Sequence, residues 1–118
     1  MQKTVIGLII LSISLTFTTI GFETAFAEEI KIENGRGSSV QGCEVTNLCF
    51  VPSYATANVG DTITFLNGDD AAHTSTSGTP ENGPDGVWDS GLQQPNVDYS
   101  FIADTPGTHN YFCMVHPW

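Results

Sequence analysis

The sequence has few basic residues and few of the side chains that bind soft metals. Its 118 residues include three Lys or Arg against 13 Asp or Glu, together with three Cys and three His. So acidic a chain is a poor partner for nucleic acid, whose phosphates are bound by basic residues. No sustained helical period follows residue 27, which argues against an all-α fold. The length fits a single domain.

The first 27 residues have the pattern of a secretory signal peptide. Lys3 precedes an apolar run over residues 5–17, and the small-residue motif Ala25-Phe26-Ala27 follows it, which predicts cleavage after Ala27. The alternative is an uncleaved N-terminal anchor, because residues 4–22 carry no charge and could span a bilayer as a helix. Both alternatives predict export to the periplasm, the extracellular space or the outer face of the cytoplasmic membrane.

The cysteines divide into a pair and a single residue. In an oxidising compartment Cys43 and Cys49 are the natural disulfide pair. A straight strand would separate them by roughly 20 Å, beyond disulfide reach, so residues 44–48 must loop back. Asn47 suits such a turn. Cys113 is left unpaired. Residues 28–42 are interpreted as a linker or lead-in, and residues 43–118 as the folded domain.

Short alternating apolar runs at residues 57–59, 62–66, 97–102 and 108–113 are separated by turn formers. This pattern predicts an antiparallel β-sandwich or barrel. Residues 74–94 are rich in glycine, proline, serine and aspartate, and are interpreted as a loop or irregular edge that Trp88 anchors by packing inward.

Three side chains are candidate metal ligands. Cys113 ends a predicted strand, and a tight turn before Pro117 could bring His116 beside it. His109 lies four residues up the same strand, about 13 Å from Cys113, so it cannot share a metal with that sulfur. His73 follows a turn-like segment after another strand and could reach the same end of the sandwich. Two imidazoles and one thiolate, with a weak axial ligand, describe a type 1 copper centre.

The segment "NYFCMVHPW" resembles the copper-ligand loop of cupredoxins of the plastocyanin and amicyanin kind, which runs Tyr-x-Cys, two residues, His-Pro-x-Met. The segments "WDSGL" and "YSFIADTPGTHNYFC" resemble the family's strand, Pro-Gly turn and strand into the cysteine. The similarity covers residues 50–118. It implies an all-β Greek-key β-sandwich, the cupredoxin fold, with residues 43–118 as a C-terminally truncated cupredoxin domain lacking its last strand.

The resemblance also implies one copper ion per chain, held by His73, Cys113 and His116. The axial methionine is expected just after Trp118. Met114 is a poor substitute, because a residue next to Cys113 faces away from it.

Two further residues depart from the family's usual pattern. Thr74 stands beside the first ligand, and its hydroxyl could tie the two ligand loops together. His109 is interpreted as a packed or partly exposed sheet residue.

The implied function is electron transfer between redox proteins, not catalysis. Phe112 and Met114 flank Cys113 where multicopper oxidases have histidines, and three histidines are too few for a second copper site. An apolar patch of Val115, Pro117 and Trp118, ringed by acidic residues, would favour a basic donor or acceptor. The alternatives are a copper storage or delivery protein, and a zinc site of two histidines and one cysteine with a fourth ligand from Cys43 or Cys49, or an open water position.

Overall fold

A computed structural model describes residues 24–118 together with residues 14, 16 and 18–21, so most of the predicted signal segment lies outside the described residues. Among the described residues, no helix is long and apolar enough to cross a membrane. Seven strands are present in the part of the chain that the structure describes. They are β1 (Glu29–Asn34), β2 (Phe50–Val51), β3 (Thr62–Asn67), β4 (Thr76–Thr79), β5 (Gly83–Asp89), β6 (Asp98–Ile102) and β7 (Tyr111–Phe112).

The strands form two sheets. The first has the order β2-β1-β3-β6, in which β1 and β3 are parallel and the other neighbours antiparallel. The second has the order β5-β4-β7 and is antiparallel throughout. The predicted all-β sandwich is therefore confirmed, but it is not antiparallel throughout as predicted, because β1 pairs in parallel with β3. The predicted closing strand concerns residues beyond Trp118 and stays a prediction.

Aromatic side chains from both sheets meet between the layers. Phe65 of β3 is 1% exposed, and its ring centroid lies 5.3 Å from that of Tyr111 on β7. Trp88 of β5 stacks on Phe101 of β6 at 4.8 Å. These contacts join the sheets across the core, and Trp88 packs inward as predicted.

The interpretation of residues 28–42 as a linker is wrong for Glu29–Asn34, which form β1. In this strand Ile30 and Ile32 alternate with charged residues, and Ile32 is 3% exposed. The whole strand pairs in parallel with β3. Two apolar residues are too few to identify a strand from its own sequence. The strand depends on its pairing partner β3, which lies more than 30 residues further along the chain. The predicted apolar run at residues 57–59 does not form a strand. It leads into a turn before β3.

Of the two interpretations of residues 74–94, the loop is wrong, because β4 and β5 lie there. The irregular edge agrees with β5, which is an edge strand whose pairing with β4 shifts register between Thr76 and Gly78. Thr76 and Ser77 of β4 are 0% exposed although both are polar. Hydrogen bonds replace apolar packing: the Ser77 hydroxyl accepts from the Trp88 N–H at 2.9 Å. At Gly78, with φ of 125°, a Cβ would clash with the carbonyl oxygen of Gly83 on β5. Hydrophobic periodicity cannot detect a strand of this kind.

Candidate metal centre

The three predicted ligands lie at one end of the sandwich. The imidazole nitrogens of His73 and His116 and the sulfur of Cys113 all lie within 4.8 Å of one another. His73 follows β3 and stands beside β4, Cys113 directly follows β7, and His116 lies in the loop after it. Among the described residues, the other group with this spacing is Cys43, Glu44 and Cys49.

A partly buried turn carries His73 from the end of β3 to the site. Asn67, 0% exposed, donates from its side-chain amide to the carbonyl oxygens of Ala71 at 2.8 Å and Gln93 at 3.0 Å. The backbone of His73 then exchanges two hydrogen bonds with Gln93, at 3.1 and 2.8 Å. The position of His73 is therefore fixed by the side-chain amide of Asn67 at the start of the turn and by backbone pairing with Gln93 at its end.

The donor atoms already face one another. The Nδ1 atoms of His73 and His116 are 3.3 Å apart, and the Cys113 sulfur lies 3.9 Å from His116 Nδ1. His73 is 1% exposed and Cys113 4% exposed, whereas His116 is half-buried. His116 is therefore the candidate ligand that solvent can reach.

The surroundings of Cys113 favour a thiolate. Its sulfur accepts hydrogen bonds from the backbone N–H groups of Thr74 at 3.2 Å and His116 at 3.4 Å. Burial raises the pKa of the thiol, but the His73 ring and the backbone donors outweigh burial and lower the pKa to about 6. The surroundings of Cys113 thus favour the thiolate, which is the form that binds metals.

Thr74 bridges the two ligand loops. Its hydroxyl oxygen accepts a hydrogen bond from the backbone N–H of Met114 at 2.8 Å, while its own N–H donates to the Cys113 sulfur. One residue therefore contacts both the sulfur ligand and the residue after it.

Sequence reasoning missed Asp69, which contacts the far side of the His73 ring. Asp69 Oδ2 lies 2.8 Å from His73 Nε2, and the Ser38 hydroxyl lies 3.3 Å from the same nitrogen. The carboxylate also accepts from the backbone N–H groups of Gly37 at 2.7 Å and Ser39 at 3.0 Å. Burial raises the pKa of Asp69, but these hydrogen bonds outweigh it and hold the pKa well below its usual range. An aspartate four residues before a candidate ligand was the one available signal.

The partners of His73 define its tautomer. Because Nε2 faces a carboxylate, it carries a proton, which leaves Nδ1, on the side of His116, as the nitrogen that a metal could bind. A cysteine sulfur and two imidazole nitrogens converging in this way are a donor set that suits copper or zinc.

The other residues discussed for the site lie outside the cluster. His109 is half-buried, with Nε2 2.8 Å from the Thr105 carbonyl oxygen and its ring 5.7 Å from that of Trp88. The side chain of Met114 is 41% exposed. Trp118 donates from its indole N–H to the Ser38 carbonyl at 3.1 Å.

The predicted disulfide between Cys43 and Cys49 is confirmed, with the two Cα atoms 4.9 Å apart. Asn47, with φ of 57°, provides the expected turn. Because both sulfurs are bonded, neither cysteine can serve as the fourth ligand of a zinc site at His73. Cys113 is free and buried.

No protein-family model matches the chain, and no curated protein sequence matches it. Its fold is similar to that of a purple cupredoxin from Nitrosopumilus maritimus, with a TM-score of 0.66 and 20% sequence identity. The likeness covers 75% of this chain and 90% of that protein. The chain therefore has the cupredoxin fold, as its sequence predicts. Membership of the plastocyanin and amicyanin subfamily stays a prediction.

Proposed function

We propose that this chain is an exported electron-transfer protein that carries one copper ion on His73, Cys113 and His116. The observation that carries this proposal is the convergence of one cysteine sulfur and one nitrogen from each of two imidazoles within 4.8 Å at one end of a cupredoxin fold. Bound there, copper would supply a one-electron Cu(II)/Cu(I) couple.

The protein's own contacts hold the donors in place without the metal. Two backbone N–H groups orient the Cys113 sulfur, and Asp69 and the pairing with Gln93 orient His73. Ligands locked by hydrogen bonds rearrange little when the charge at the site changes. A small rearrangement favours fast electron transfer.

His116 is the proposed route for electrons. It is half-buried. In the patch predicted beside it, Val115 is 49% exposed, Pro117 is exposed and Trp118 is half-buried, and the neighbouring Met114 is 41% exposed. An apolar surface of this kind on a chain of net charge −10 suits brief contact with a basic redox partner.

Export is supported by the disulfide, because such bonds persist in oxidising compartments. Residues 24–28 are exposed and lie before the first strand. The Glu28 carbonyl accepts from the Thr62 N–H at 2.8 Å, so the sheet begins directly after the proposed cleavage site at Ala27. An uncleaved anchor remains the alternative to cleavage.

Copper loading followed by voltammetry tests the proposal. The purified chain would be loaded with Cu(II), treated with a chelator and analysed for metal, and then reduced and reoxidised at an electrode. One retained copper per chain and a reversible one-electron wave are expected. Loss of the copper to the chelator on reduction would indicate storage or delivery instead. Preferential retention of zinc with no wave would indicate the zinc alternative.

A further inference from the structure

Asp69 is a buried carboxylate that contacts the ring of His73, a proposed ligand. It lies at Nε2, on the side of the ring away from the proposed metal position, so it cannot bind the same metal. It is 4% exposed, and it lies on the Nε2 side of His73, opposite the Nδ1 atom that faces His116. A negative charge in this position acts on the metal through the imidazole and through space.

We propose that Asp69 is a positioning residue that holds His73 as the Nε2–H tautomer and lowers the reduction potential of copper at this site. The inference rests on the proposed function, because it specifies how the same site is tuned. It concerns a residue that the sequence pattern does not mark as a ligand.

The carboxylate is clamped from a separate segment. Its Oδ1 accepts from the Gly37 N–H, and its Oδ2 accepts from the Ser39 N–H and contacts His73 Nε2. The Ser38 hydroxyl, between the two backbone donors, reaches the same nitrogen at 3.3 Å. These donors compensate for the burial of the charge, so the carboxylate is fixed against the ring rather than free to turn away.

The expected sign follows from the charge. A carboxylate that accepts the Nε2 proton makes the imidazole a stronger donor, and its negative charge lies one ring away from the metal. Both effects stabilise Cu(II) more than Cu(I), because the interaction grows with the charge of the ion. The potential therefore falls when the carboxylate is present and rises when it is removed.

The test compares Asp69→Asn with Asp70→Asn in the copper-loaded protein. Both variants lose one negative charge, but Asp70 is a side chain 80% exposed that pairs with Arg36 at 3.2 Å. In Asp69→Asn we expect the preference for Cu(II) over Cu(I) to fall about tenfold, the lower end of the range for such partners. That corresponds to a potential about 59 mV higher. Asp70→Asn should change the preference less than about twofold, because exposed charges are screened.

Equal shifts in the two variants, or a lower potential in Asp69→Asn, would overturn the tuning while leaving a working copper couple. Absence of any reversible couple in the unmodified protein would overturn the proposed function and the tuning with it. A measurement without variants covers the case in which Asp69→Asn does not fold. In the zinc-loaded unmodified protein, nitrogen-15 NMR should show a proton on Nε2 and metal on Nδ1 of His73. The reverse assignment would refute the positioning role.

Discussion

Replacing Thr74 by valine tests how far one hydroxyl stabilises the proposed ligand loop. Valine has the same shape, and its backbone N–H can still donate to the Cys113 sulfur. The change removes the acceptor of two donors, the Met114 N–H at 2.8 Å and the Thr76 hydroxyl at 3.0 Å. Thr74 is 4% exposed and Thr76 0% exposed, and water therefore reaches the position of the lost hydroxyl poorly.

The magnitude follows from those contacts. A buried donor left without an acceptor costs about 1–3 kcal/mol, and the added methyl group returns up to about 0.8 kcal/mol. We expect the metal-free Thr74→Val protein to lose about 1–2 kcal/mol of unfolding free energy. For a domain of this size each kcal/mol lowers Tm by about 4–8 °C.

Denaturant unfolding of the metal-free protein, with the disulfide intact, measures the loss. The control is Thr105→Val, because Thr105 is exposed and its hydroxyl contacts only the exposed Asp104 carboxylate. The control should change stability by less than about 0.5 kcal/mol. Equal stabilities for the two variants would refute the bridging role of Thr74.

Three further outcomes are expected. Gly78→Ala should destabilise the protein by about 1–3 kcal/mol more than Gly107→Ala. The backbone strain is the same at the two sites, with φ of 125° and 126°, but only a Cβ at Gly78 would clash with another strand. Similar losses of unfolding free energy in denaturant would contradict the close approach of β4 and β5. Hydrogen bonds from the Glu28 and Asn58 N–H groups hold the pKa of Asp61 below its usual value. The ionised Asp61 therefore stabilises the folded state above about pH 4, and this stabilisation is lost as pH falls. Asp61→Asn should weaken the dependence of the unfolding free energy on pH in the acid range. An unchanged pH dependence would contradict the role of Asp61. Association with a basic redox protein should slow as ionic strength rises, as followed by stopped-flow kinetics, and a rate independent of salt would exclude electrostatic steering.

The sequence predicts much of the candidate site because its signals are local. Cys113 and His116 are three residues apart at the end of a strand, and His73 follows a run of turn-forming residues. Local patterns also predict β3, β6 and the disulfide, since each depends on alternation or on a short loop.

The features that were missed depend on distant partners. β1 is stabilised by parallel pairing with β3, and β4 is buried through hydrogen bonds of polar side chains rather than through apolar residues. Asp69 acquires its position from Gly37 and Ser39, which lie 32 and 30 residues away. Short-range sequence patterns cannot predict the pairing of β1 with β3 or the hydrogen bonds from Gly37 and Ser39 to Asp69, because the two partners lie at least 30 residues apart in the chain.

The central claim is that the sulfur of Cys113 binds copper together with His73 and His116. The most direct test is the visible absorption spectrum of the copper-loaded protein beside that of a Cys113→Ser variant. An intense charge-transfer band in the unmodified protein, absent from the variant, is the predicted result. A copper-loaded protein that lacks the band, or a variant that retains it, would contradict the assignment of Cys113 as a copper ligand.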